Sequence, residues 1–168
     1  MLNRKWLIFG SIVVGILGIG LLLWPIIEQQ LMEIPFAHAI TAISAGHVAE
    51  AQETFTPSAV AEYQDIHLPM RDVLRTLAPD LNHEQLESTV RFAGIQQITA
   101  RTADTADVNF TIIIYVGDEM GRRLPVRRRG RARLARTGWF TWRIHRITTD
   151  DPTFGAALQE IDHHRAPE

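Results

Sequence analysis

Side chains suited to general acid–base chemistry are few and scattered: His38, His47, Tyr63, Asp65, His67 and Tyr115. Such chemistry needs His, Asp, Glu or Tyr within hydrogen-bond reach of a proton to be moved. Tyr63, Asp65 and His67 are close in sequence, but alternate spacing does not define a dyad. His38 falls near the apolar face of an expected helix, where a hydrogen-bonded core or rim role competes with catalysis. His38, Tyr63 and Tyr115 are the candidate lining of a pocket, should one be open. His163 and His164 are adjacent and point in different directions, unlike the i, i+4 pair that grips a metal, and no third ligand accompanies them. No glycine-rich phosphate loop and no nucleophile elbow occur, so no cofactor is expected. The absence of cysteine excludes disulfides, thiolate metal sites and cysteine nucleophiles. No catalytic residue is assigned, and a non-catalytic protein is expected.

The strongest polar feature is an arginine run. Ten arginines and no acid lie between Met120 and Thr149, whereas residues 28–119 hold fourteen acids against four arginines. On an expected strand over 124–136, Arg127, Arg129, Arg131 and Arg133 share one face, and Val126, Gly130, Ala132 and Leu134 share the packed one. Stacked like charges repel unless they are solvated, paired across strands or engaged by a partner. A solvated, ion-paired face, an acidic protein surface and anionic lipid headgroups are the three outcomes considered. Arginine suits the second through bidentate pairing. Trp139, at the start of the following strand, is a candidate contact residue.

These elements sit behind an apolar run. From Trp6 to Ile27 there is no charge, and fourteen residues are Leu, Ile, Val or Phe. That length suffices to cross a hydrocarbon core of roughly 30 Å, and Trp6 and Trp24 fall where indoles favour the interface. Arg4 and Lys5 precede the run, Glu28 and Glu33 follow it, and the next cation is Arg71. The positive-inside rule then puts residues 1–5 in the cytoplasm and the remainder outside. The expectation is a transmembrane helix over 6–27 in a bacterial cytoplasmic (inner) membrane, with a periplasmic domain. A cleaved signal peptide would have a shorter apolar region and a nearer cleavage site. Ser11, Gly15 and Gly18 form a smooth stripe that would let another membrane helix approach. The outward location of the arginine face argues against nucleic acid as its partner.

Beyond the run, residues 28–34 are expected to form a connector. Pro35 opens a first helix over 35–45, Gly46 breaks it, and a second helix spans 47–55 until Thr56-Pro57-Ser58 stops it. Residues 59–89 read as helical and irregular, with Pro69 opening a short helix that carries Val73, Leu74 and Leu77, and Asn82 capping another turn. From Val90 the period changes to alternation. Strands are expected at 91–102, 107–117, 124–136 and 139–149, joined as an antiparallel meander, with Thr137-Gly138 as a tight turn. Phe140, Trp142 and Ile144 would face the core. A short helix at 153–163 and a tail complete 150–168. Helices followed by an antiparallel sheet define an α+β domain with helices packed on one sheet face.

Several segments resemble the NTF2-like (SnoaL-like, cystatin-related cone) superfamily: Phe36–Ala45 with its break at Gly46, Val48 through Pro57, the hairpin Ala132 through Trp139, and the strand Phe140–Ile147. The resemblance spans 35–149. It departs from the family at His47, where an acidic residue often follows the first helix glycine, and in the long stretch 58–89. It implies a curved sheet wrapped around a long helix, with a cone-shaped cavity. Members include isomerases, dehydratases, small-ligand binders and membrane-tethered assembly domains, and the fold does not choose among them. The function expected is a non-catalytic, single-pass accessory or assembly subunit of a larger membrane complex of respiratory, photosynthetic or secretion type. Its partners would be other membrane subunits and the lipid bilayer. The alternatives are a ligand-binding or isomerase-like module using the cavity, and a homo-oligomer paired through the arginine face.

Overall fold

The computed structural model describes the backbone of residues 4–77, 90–117 and 123–165, and the side chains of 22–76, 90–115 and 124–164. Its longest element is helix α1, Arg4–Ser44, which runs without interruption from the apolar segment into the domain. The expected connector at 28–34 is therefore helix. Glu28 to Ile34 contains no breaker, only good helix formers such as Glu, Gln, Leu and Met plus one Ile. Pro35 lies inside the helix rather than opening one, as does Pro25. Glu28, Met32, Phe36, Ala39 and Ala42 are buried at three- and four-residue spacing, which gives one packing stripe.

The helix ends where the sequence said it would. Gly46 adopts φ 77°, its N–H reaches the Ile43 carbonyl at 3.0 Å, and the His47 N–H reaches the Ala42 carbonyl at 2.8 Å. This is a Schellman closure, for which glycine is the residue of least strain. Helix α2, Val48–Glu53, follows directly.

A six-stranded sheet comes next: β1 Phe55–Tyr63, β2 Ile66–Pro69, β3 Val90–Arg101, β4 Thr105–Gly117, β5 Arg123–Arg136 and β6 Trp142–Thr149. Helix α3, Met70–Leu77, sits between β2 and β3, and α4, Pro152–Arg165, closes the chain. The strand order is β2-β1-β6-β5-β4-β3. Strands β3 to β6 form the expected antiparallel meander. Strands β1 and β2 correct the expectation for 55–69, and β1 pairs in parallel with β6, so the sheet is mixed. Thr56-Pro57-Ser58 looked like a stop signal. Instead it falls where the β1–β6 register shifts, between Phe55 and Val60, a place that tolerates a proline with no N–H to give. Phe55, Ala59 and Ala61 are buried. The proposed Asn82 cap lies outside the described residues.

The turn at Thr137-Gly138 is wider than expected. Arg136 pairs with Trp142, and the Thr137 N–H meets the Thr141 carbonyl at 2.9 Å, so residues 137–141 form the loop. Trp142 and Ile144 are buried as expected, but Phe140 is displaced from the strand into the loop and lies 59% exposed. Trp139 is 86% exposed.

The core lies between α1 and the sheet. Phe36 stacks on Phe92 with ring centroids 5.2 Å apart and approaches Phe110 at 4.9 Å. Phe110 in turn covers Gly130, its register partner on β5. A Cβ at Gly130 would lie 2.6 Å from the Phe110 ring. We therefore expect Gly130→Ala to lower the thermal unfolding midpoint by the equivalent of about 1–3 kcal/mol, although alanine is the better strand former.

Candidate functional site: the helix exit and the arginine face

Glu28 marks the point where α1 enters the domain. Residues 22–27 are exposed, and Glu28 is 1% exposed. A carboxylate taken out of water is costly unless paired. Here two arginines grip it: Arg101 from the end of β3 donates to one oxygen and Arg136 from the end of β5 to the other. The Arg136 guanidinium also lies 4.7 Å from the Trp142 ring centroid. Further along α1, the Glu33 carboxylate accepts from the Ile95 N–H at 3.0 Å, and the Gln29 amide donates to the Ile95 carbonyl at 3.5 Å. Gly94, at φ 109°, forms the β3 irregularity beside this contact. Five polar side chains, three from the helix and two from the sheet, thus fix where α1 crosses the sheet.

The face of the sheet turned away from α1 carries the arginine ladder, and the structure divides it. Arg133 makes a bidentate pair with Asp107 on β4, at 2.7 and 2.9 Å. Arg131 is 3.6 Å from Asp150. On β6, Arg146 is 3.2 Å from Glu62, which also contacts His67 at 3.1 Å and accepts from Thr148 at 3.2 Å. Cross-strand pairing thus resolves half the repulsion. Arg127 and Arg129 have no acidic partner among the described residues. They border a depression of about 630 Å³ whose floor includes Gln97, Asn109 and Thr111. The Arg133 guanidinium beside Asp107 holds that carboxyl below its ordinary range.

The candidate pocket residues are not brought together. His38 is exposed on α1, Tyr63 packs over Gly155 of α4, and Tyr115 is half-buried in β4. None of them lines the depression beside the arginines or the two smaller ones of about 370 Å³. None of these three depressions is lined by α1. His47 contacts Glu50 at 3.4 Å, the neighbour one turn on, and His145, which the sequence did not single out, contacts the Thr56 hydroxyl at 3.0 Å. No group of three or more metal-ligating side chains exists among the described residues. Ser11, Gly15 and Gly18 fall within α1, but their side chains lie outside the described set. Glu28 and its two arginines were not foreseen. The available signal is one acid directly after an uncharged run, which by itself reads only as flanking charge.

No protein-family model and no curated protein matches the chain. Solved structures do. A protein of unknown function from Mycobacterium tuberculosis superposes with a TM-score of 0.56 at 14% identity, over 80% of this chain and 94% of that one. An NTF-2 like protein of unknown function from Shewanella oneidensis gives 0.52 at 14% identity, over 73% and 98%. The association domain of the CaMKII of C. elegans gives 0.50 at 11% identity, over 66% and 84%. The domain therefore has the NTF2-like fold: α+β, an N-terminal helix against a curved mixed sheet. Among the described residues no helix is long and apolar enough to cross a membrane, and the side chains of 6–21, most of the apolar run, are outside them.

Two outcomes follow. Glu28→Gln should destabilise the domain by roughly 3–5 kcal/mol, the range for breaking a buried pair, and toward its lower end because Arg101 stays 41% exposed; chemical denaturation measures it. Asp107 contributes stability above the ordinary carboxylate pKa, lost as pH falls through its depressed value. Asp107→Asn should thus cost at most about 1 kcal/mol at neutral pH, the scale of an exposed pair, and nothing once acid has protonated the wild-type carboxyl.

Proposed function

We propose that the chain is a single-pass membrane accessory or assembly subunit, anchored by residues 6–27, with its NTF2-like domain outside the cytoplasm. The observation that carries this is the exit of α1. Leu22, Leu23, Trp24, Ile26 and Ile27 are 77%, 46%, 37%, 58% and 43% exposed, and they continue an uncharged run on the same helix. Leaving one large apolar side chain in water forfeits roughly 1.5–3 kcal/mol, so a row of them needs a cover. A bilayer supplies it, and about 22 helical residues span roughly 33 Å. The flanking charges favour the N-terminus inside.

The docking role rests on Arg127 and Arg129. Their neighbours on the ladder are neutralised within the domain, while these two border an open depression and complement an acidic surface on a partner subunit. The reading as a cavity enzyme or ligand binder has less support: Phe36, Phe92 and Phe110 fill the helix–sheet interior, and His38, Tyr63 and Tyr115 are dispersed.

Solubilisation in mild detergent followed by affinity purification of the full chain tests the proposal. It should bring down stoichiometric membrane subunits, and Arg127→Glu with Arg129→Glu should lose them while the chain stays in the membrane fraction. A chain that runs alone as a monomer, or that is released by carbonate washing, overturns it.

A further inference from the structure

The loop 137–141 carries two large apolar side chains that the domain does not use. Trp139 and Phe140 are the most exposed aromatic residues among the described side chains, at 86% and 59%. They are held outward: Arg136 and Trp142 pair at the strand ends, and the Thr137–Thr141 bond closes the loop. Their position relative to α1 is specific. The Phe140 ring meets Trp24 edge-on, with centroids 6.2 Å apart and planes at 61°. Trp24 lies one turn before Glu28, where α1 leaves the domain, so the loop reaches about 6 Å beyond that exit along the helix. Its base is tied to the sheet: the Arg136 backbone N–H is bonded at 2.8 Å to the Asp104 carbonyl of the neighbouring β3–β4 hairpin.

We propose that the 137–141 loop is a second membrane contact, in which Trp139 and Phe140 lie in the headgroup–acyl boundary beside Trp24. The occupant of this patch is lipid. Three features select it: continuity with the exposed apolar segment Leu22–Ile27, the aromatic types that favour the interface, and a reach that matches the roughly 5–10 Å burial depth of interfacial apolar groups. Together the helix and the loop make two supports, and two supports fix the tilt of the domain. The hairpin ends of β3–β4 and β5–β6 then face the membrane. This inference rests on residues 6–27 being an anchor.

Because the chain has no cysteine, single spin labels can be placed without background changes. Thr137→Cys and Leu22→Cys are each made in the full chain, labelled, and reconstituted in phosphatidylcholine–phosphatidylglycerol vesicles. Collisional relaxation by oxygen, which concentrates in lipid, is compared with that by a water-soluble nickel chelate. Both labels should favour oxygen, and adding Trp139→Glu with Phe140→Glu should shift the Thr137 label to nickel while the Leu22 label stays with oxygen. A Thr137 label open to nickel in the unaltered loop, or shielded from both reagents as in a protein interface, overturns the loop contact and leaves the anchor standing. A Leu22 label open to nickel overturns the anchor and the loop contact together.

Discussion

The buried carboxylate of Glu28 is the constraint on which the arrangement of this molecule depends. A charge in that position is tolerable only with both oxygens satisfied, and the two groups that satisfy them come from the ends of β3 and β5. The pairing is therefore also a register device. Together with the Phe36 ring contacts on Phe92 and Phe110, it fixes which turn of α1 meets the sheet. Glu33 and Gln29 repeat the device at Ile95. The domain begins at Glu28 for the same reason: the first turn with a polar tether to the sheet is the first turn that is covered.

The same logic explains the sheet's other face. Four arginines in a row on one strand are unstable neighbours in isolation. Asp107, Asp150 and Glu62 come from a neighbouring strand, from the segment after β6 and from β1, so Arg133 and Arg131 on β5 and Arg146 on β6 are neutralised only once the sheet is assembled. Opposite Arg127 and Arg129, β4 presents Ile113 and Thr111 in place of an acid, and these two arginines have no acidic partner among the described residues. Coulombic attraction over such a patch speeds encounter and selects partners more than it adds affinity, which suits the docking role proposed for it.

Much of this was legible in the sequence, where the signals were local. The meander over 90–149 follows from period-two alternation, the end of α1 from Gly46, and the start of α3 from Pro69. What escaped was non-local. Strand β1 carries Pro57 and was masked by its turn-like composition; only the parallel partner β6 makes it a strand. Helix α1 was divided into anchor, connector and first helix because Pro35 and the acids suggested boundaries, yet backbone propensity over 28–34 never falls. Strict alternation puts Phe140 in the core, and a loop three residues longer than the two-residue turn takes it out of the strand. The division of the arginine ladder needed the cross-strand register, which no single strand reveals.

A continuous α1 changes what an anchor can do. A flexible connector would let the domain tumble above the bilayer, and its two faces would sample all directions. A helix that is both membrane span and core element transmits its own tilt to the sheet, since Met32, Phe36 and Ala39 are packed on the strands that carry Arg127 and Arg129 or their neighbours. One helix still permits rotation about its axis and rocking about the exit. A side contact such as Phe140 on Trp24 opposes both motions, because it acts off the helix axis. In the proposed arrangement, with the helix and an off-axis loop both engaged, the arginine face would hold a fixed bearing relative to the bilayer. Docking to the proposed partner in the same membrane would then be a search in two dimensions with the correct face already presented.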